Sequence, residues 1–156
     1  MAIEHSAELI RELQRQTTPT TAAAINLFHV RPPELGFTGS AIRCIFPALP
    51  PVVGYACTAT ISATSAPGAH RASFQELWRH VLAMPAPRIV VVQDVSEPPA
   101  VTSIWGGVLG TIYQALGAVA VVTDGGIRDL DELEALGVQM FAREVTVGGA
   151  SGRYTS

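Results

Sequence analysis

Two continuous apolar runs of strand length, Arg88–Val95 (RIVVVQDV) and Ala118–Val122 (AVAVV), are separated by one helix-length stretch. A strand that is apolar at nearly every position has no solvent face, so it belongs inside a sheet covered on both sides. Two such strands linked through a helix form a parallel βαβ unit. The order strand, helix, strand, helix, strand through the middle of the chain therefore predicts an α/β fold, and 156 residues are enough for one domain.

The flanking segments fill out this frame. Leu9, Ile10 and Leu13 recur at helical spacing between Ser6 and Gln16, and Thr18-Pro19 reads as an N-cap and first helical residue of a second helix reaching Phe28. Ala41–Phe46 and Val52–Ser62 read as two strands joined by a stiff, proline-rich turn. Ser73 caps a helix through Ala83 that places Phe74, Leu77, Trp78 and Val81 on one face. A helical stretch over Ser103–Leu116 is expected next. Later come a turn and helix over residues 123–133, ended by Gly137, and short strands at Val138–Ala142 and Val145–Val147.

Charge narrows the chemistry. All ten basic residues are Arg, so a Schiff-base lysine and a P-loop lysine are both excluded. Carbonyl chemistry on this chain would rest on Arg, a metal or backbone amides. The net charge is −3 and basic residues do not cluster, which excludes a phosphate-gripping surface and argues against direct nucleic-acid binding. The N-terminus lacks a signal-peptide core, and the apolar runs fall short of the roughly 18 residues that cross a bilayer, so a cytoplasmic protein without a membrane partner is expected. With 48% hydrophobic and 15% charged residues and a mean hydropathy of +0.31, the surface is poor in charge, and oligomerisation is expected. Cys44 and Cys57 lie in apolar runs and read as buried, reduced thiols.

Two segments could carry chemistry. Trp105-Gly106-Gly107-Val108-Leu109-Gly110 follows the first apolar strand and Thr123-Asp124-Gly125-Gly126-Ile127-Arg128-Asp129 the second. If the strands are neighbours, both segments face one cleft at the carboxyl ends of the sheet. The glycines either let backbone amides approach an anion or relieve crowding where the helix crosses another element. Asp129, Asp131 and Glu132 suit the first turn of a helix, but Arg128 does not; an Arg for a substrate carboxylate beside an Asp for a divalent metal is the sharper explanation. His5, His29, His70 and His80 show no metal-ligand spacing, and Trp78, Trp105 and Phe74 read as core or subunit contact.

The string WGGVLGTIYQALGAVAVVTDGGIRDLDELEALGV, with weaker likeness from Thr18-Pro19 through QDVSEPP to the C-terminus, resembles the RraA-like proteins and 4-hydroxy-4-methyl-2-oxoglutarate aldolases, a family often labelled demethylmenaquinone methyltransferase. The resemblance implies a β/β/α sandwich of the swivelling-domain type and a homotrimer or homohexamer. It implies a class II lyase that uses Mg²⁺ or Mn²⁺ to cleave 4-hydroxy-2-oxoacids to pyruvate, with oxaloacetate decarboxylase side activity. Carried over by position, Arg128 binds the small oxoacid substrate, Asp129 ligates the metal, and the backbone at Gly106, Val108 and Leu109 holds the pyruvate carboxylate. Catalytic members carry Asp or Glu at the position of Gly107, so the resemblance implies a vacated carboxylate there and an impaired site. Gly106 and Val108 do not replace it, which leaves Asp94 or Glu97 to reach in. Restoring an acid at position 107 is expected to raise activity about tenfold. Other members continue with further C-terminal strands, so residues 1–156 are expected to be a single, shortened RraA-like domain. The alternative the family offers is a non-catalytic oligomeric regulator acting by protein contact, like the ribonuclease E inhibitors. A methyltransferase lacks support, because no strand-linked GxGxxG occurs.

Overall fold

The computed structural model describes residues 7–62, 73–96, 103–148 and 153–155, and the chain divides into two compact units, Met1–Gly39 and Ser40–Ser156. The first unit holds α1 (Ala7–Gln14) and α2 (Thr18–Asn26). The N-cap of α2 is Thr17 rather than Thr18: its Oγ1 accepts from the Thr20 N–H at 3.2 Å, which puts Pro19 at the second helical position. Either threonine offers the same hydroxyl, and a first-turn proline suits both registers. Leu27, Phe28, Val30, Leu35 and Phe37 of this unit are exposed.

In the second unit the elements run β1 (Arg43–Cys44), β2 (Tyr55–Ser62), α3 (Phe74–Ala83), β3 (Arg88–Asp94), β4 (Ser103–Trp105), α4 (Gly107–Ala115), β5 (Ala118–Thr123), β6 (Gly126–Ile127), α5 (Leu130–Ala135), β7 (Gln139–Ala142), β8 (Glu144–Val145) and β9 (Arg153–Thr155). Six strands form one sheet in the order β1-β7-β5-β3-β2-β9, whose inner four are parallel and whose edges are antiparallel. β4, β6 and β8 form a second, all-parallel sheet. Two sheets with helices agree with the expected α/β architecture. The expected apolar strands are β3 and β5, and they are direct neighbours, pairing Ile89 with Ala120 and Val91 with Val122. Val90, Val92, Val121, Ile61, Met140 and Val81 form the centre of the core.

Three local expectations change. β1 does not turn back onto β2; it pairs with β7 at the opposite edge, because the proline-rich segment between them carries the chain across rather than into a tight hairpin. Ser103–Trp105 is a strand of the second sheet, so the helix expected from Ser103 begins only at Gly107. Cys57 is buried as expected, whereas Cys44 is exposed on a two-residue edge strand.

The helices are held at their ends by side chains. Ser73 and Glu76 form a reciprocal capping box at the start of α3. Arg88 donates to the carbonyls of Met84 at 2.8 Å and Leu116 at 2.7 Å, so one guanidinium binds the C-terminal ends of α3 and α4. Gly137, at φ +69, follows α5 in the left-handed conformation that ends helices. No helix among the described residues is long and apolar enough to cross a membrane.

Candidate active site

The two glycine-bearing segments meet at the carboxyl ends of β4 and β6, one step beyond the strands from which the sequence would launch them. β4 pairs with β6 in parallel, and the Arg128 N–H donates to the Trp105 carbonyl at 2.8 Å, extending the ladder by one bond. Trp105 anchors this junction from below: it is fully buried, with its ring 4.7 Å from that of Tyr113. The chain then diverges into α4 on one side and α5 on the other, leaving Gly106-Gly107 facing Arg128-Asp129.

Asp129 occupies the left-handed region at φ +56 and ψ +48, as the N-cap of α5. Few non-glycine residues adopt this conformation, and Asp is among those that tolerate it. It does not cap its own helix. Instead its Oδ2 accepts the Gly107 N–H at 3.0 Å, supplying the cap that Gly106 cannot give to α4. Arg128 Nε lies 3.5 Å from the same oxygen, and both side chains are about two-fifths exposed, at 44% and 39%. A pair this exposed contributes at most about 1 kcal/mol to stability, less than the cap that the same carboxylate gives to α4.

The glycines are required by close approach. A Cβ at Gly106 would press on Asp129 Oδ2 and come within 3.0 Å of Arg128 Nε. A Cβ at Gly107 would fall on Glu132 Oε2, with Glu132 Cδ 2.9 Å away. Gly110 serves the helix crossing, where a Cβ would press on Leu133 Cδ2 and lie 3.0 Å from Leu136 Cδ1. Both readings of the glycines therefore hold, at different positions. The first amides of a helix lack intrahelical acceptors, and Asp129 engages only that of Gly107, leaving those of Val108 and Leu109 without one. The Val108 side chain is 77% exposed.

Other candidates stand apart. The Asp94 N–H donates to Asp124 Oδ1 at 2.6 Å and Asp94 Oδ1 accepts from the Ser96 N–H at 2.9 Å, so Asp94, itself buried, ties the ends of β3 and β5 together. Glu97 and His70-Arg71 lie outside the described residues. Among the described residues no three His, Cys, Asp or Glu side chains converge as a ready-made metal cage. Glu132, which the sequence places only in the first turn of a helix, comes against Gly107 three residues after the Asp129 N-cap, a contact that no sequence signal announces.

The family description RraA-like, Aldolase/RraA, matches residues 21–155. The chain belongs to the RraA-like family. Among solved structures, this RraA-like chain is similar to a Streptomyces coelicolor protein, RraAS2, described as an unusual member of the RNase ES inhibitor RraA family, at 26% identity and TM-score 0.68, covering 94% of this chain and 68% of that one. It is also similar to the RNA-processing inhibitor RraA of Thermus thermophilus, at 18% identity and TM-score 0.55, covering 89% of this chain and 76% of that one. A chain described among novel cellulases from gut-associated microbes has a TM-score of 0.74 at 20% identity, a likeness of fold alone; the match covers 99% of this chain and 66% of that one. This RraA-like chain thus spans about two thirds of the length of that neighbour. A search of curated proteins finds no significant match. The RraA-like family includes both aldolases and ribonuclease inhibitors.

Proposed function

We propose that this chain is a divalent-metal-dependent carbon–carbon lyase that releases pyruvate from small 4-hydroxy-2-oxoacids, such as 4-hydroxy-4-methyl-2-oxoglutarate, and decarboxylates oxaloacetate. The observation that carries the reading is the meeting of Arg128, Asp129 and the amides of α4 at one strand-end junction. Arg128 is an obligate cation with a planar fork that matches a carboxylate. The Val108 and Leu109 amides offer a second contact to the same anion. Together they would hold the pyruvyl half of the substrate by its carboxylate and 2-oxo oxygen.

The residues present fit Mg²⁺ or Mn²⁺. Asp129 is a hard oxygen donor whose Oδ1 makes no hydrogen bond among the described residues, and the missing side chain at Gly106 lets its carboxylate lie against the backbone. One or two carboxylates suit an ion that keeps most of its water. When bound, the ion would polarise the 2-oxo group as a Lewis acid. Cleavage leaves an electron pair at C3 of the pyruvyl half; the 4-hydroxyl proton departs, C3 gains one, and the former hydroxyl carbon becomes the carbonyl of the second oxoacid. Arg128, beside the carboxylate, offsets the negative charge that moves toward the 2-oxo oxygen.

A second reading is a non-catalytic oligomeric regulator acting by protein contact. It is favoured by the absence of a side chain at Gly107 and by the similarity to RraAS2. The deciding experiment is pyruvate release from oxaloacetate by the purified protein with Mg²⁺, with EDTA, and in Asp129→Ala and Arg128→Ala. Turnover that needs the ion and disappears in both variants supports the lyase. A folded oligomer that binds neither Mn²⁺ nor pyruvate supports the regulator.

A further inference from the structure

The site takes its residues from the ends of β4 and β6, and the third strand of the same sheet, β8, ends beside them. The register sets Val145 of β8 opposite Ile127 of β6. The Thr146 N–H then donates to the Ile127 carbonyl at 2.9 Å, as the Arg128 N–H donates to the Trp105 carbonyl one strand over. Both ladders run on by one bond, so Thr146 stands opposite Arg128. Opposed residues of a parallel pair present their side chains to the same face. Arg128 is therefore flanked by Gly106 on one side and by Thr146 on the other.

The Thr146 hydroxyl plays no part in the bonding of the fold. Its Oγ1 is buried and has no hydrogen-bond partner among the described residues, a state that native structures seldom keep without a reason. Valine has the same shape and the same β-branched fit to a strand, and it would leave no polar atom unsatisfied. The Arg128 guanidinium, meanwhile, leans on Asp129 Oδ2, 3.5 Å from Nε. That carboxylate is the one proposed to hold the divalent ion, and sharing it weakens the hold on Arg128 just when the arginine must face a substrate.

We infer that Thr146 is a positioning residue of this site: its hydroxyl accepts a hydrogen bond from the Arg128 guanidinium when Asp129 is engaged elsewhere, and so keeps the fork turned toward the oxoacid carboxylate. The inference rests on the reading of Arg128 and Asp129 as the reacting pair. A hydroxyl suits this task better than another carboxylate, because it orients the guanidinium through a lone pair without neutralising the charge that attracts the oxoacid.

The test compares Thr146→Val, Thr146→Ser and Arg128→Ala with wild type in the full chain. Pyruvate affinity is measured by titration calorimetry at saturating Mn²⁺, Mn²⁺ affinity by the electron paramagnetic resonance of the free ion, and stability by thermal melts. Thr146→Val is expected to weaken pyruvate about tenfold, the worth of a hydrogen bond to a charged group, with Mn²⁺ affinity unchanged and a melt at or above that of wild type. Thr146→Ser, which keeps the hydroxyl, is expected to stay within about twofold of wild type. Weaker binding without loss of stability is a result that a merely structural threonine would not give. If Thr146→Val binds pyruvate like wild type while Arg128→Ala does not, this inference fails and the reading of Arg128 stands. A lowered melt in Thr146→Val, or a serine variant as weak as the valine one, also overturns it. If wild type binds no Mn²⁺ or no pyruvate, or Arg128→Ala binds pyruvate equally well, both fail together.

Discussion

The Gly107 N–H donates to Asp129 Oδ2 at 3.0 Å across 22 positions of chain, so the residue proposed to hold the metal is also the cap of the helix that faces it. Structure and chemistry at Asp129 can therefore be separated by choice of substituent. Asp129→Asn keeps an acceptor and tolerates the left-handed backbone, so its stability should stay within about 0.5 kcal/mol of wild type. Asp129→Ala loses the cap and strains the backbone, and should cost about 2 kcal/mol. Both should lose pyruvate release. Urea titrations beside activity assays check the split, and an active Asp129→Asn would contradict a metal-binding role for its charge.

Gly110 should resist even the smallest enlargement. Alanine gains up to about 1 kcal/mol of helix propensity. Its Cβ, however, would meet fully buried Leu133, and overpacking of this kind costs about 1–3 kcal/mol. Gly110→Ala should lower the urea midpoint; a rise would show that α4 and α5 separate without cost.

The two thiols should differ. In the native protein Cys44 should react with Ellman's reagent and Cys57 only in denaturant. Burial pushes the Cys57 thiol above its ordinary range, with Arg88 partly opposing. Folding then favours the protonated form. Its contribution is complete below the unfolded thiol value, about 8.5, and is lost as pH rises toward the folded one. Unfolding free energy should accordingly fall more steeply above that pH in wild type than in Cys57→Ala.

The exposed side chains of Leu27, Phe28 and Val30, each more than 70% accessible, form an apolar segment that water penalises. A trimer or a multiple of one is the expected state in solution, and Phe28→Glu should shift it toward smaller species by light scattering. A monodisperse wild-type monomer at micromolar concentration would overturn the expectation.

What the sequence made legible follows from length. β3 and β5 are long enough for their apolar runs to declare a buried parallel pair, and Ser73 declares a helix start. β4, β6 and β8 have two or three residues each, too few for any period, so the second sheet is not legible in the sequence and the two glycine-bearing segments read as continuations of β3 and β5. β9, a strand beyond those expected, pairs with β2 for the same reason of brevity. Arg128 and Asp129 stood out because a cation at a helix start is unusual. Glu132 did not, since an acid in a first turn is ordinary, and its approach to Gly107 is a tertiary fact carried by the crossing of α4 and α5.

Helix α4 has nine residues and glycine at positions 107 and 110, and an isolated helix shorter than about 12 residues is marginal in water. It is fastened at one end by Asp129 and at the other by Arg88, through Leu116. A ligand that draws Asp129 away from Gly107 unfastens one end only. Amide hydrogen exchange should then quicken in the first turn of α4 while the turn held by Arg88 keeps its protection, so this helix reports, in its own local opening, whether the carboxylate beside it is engaged.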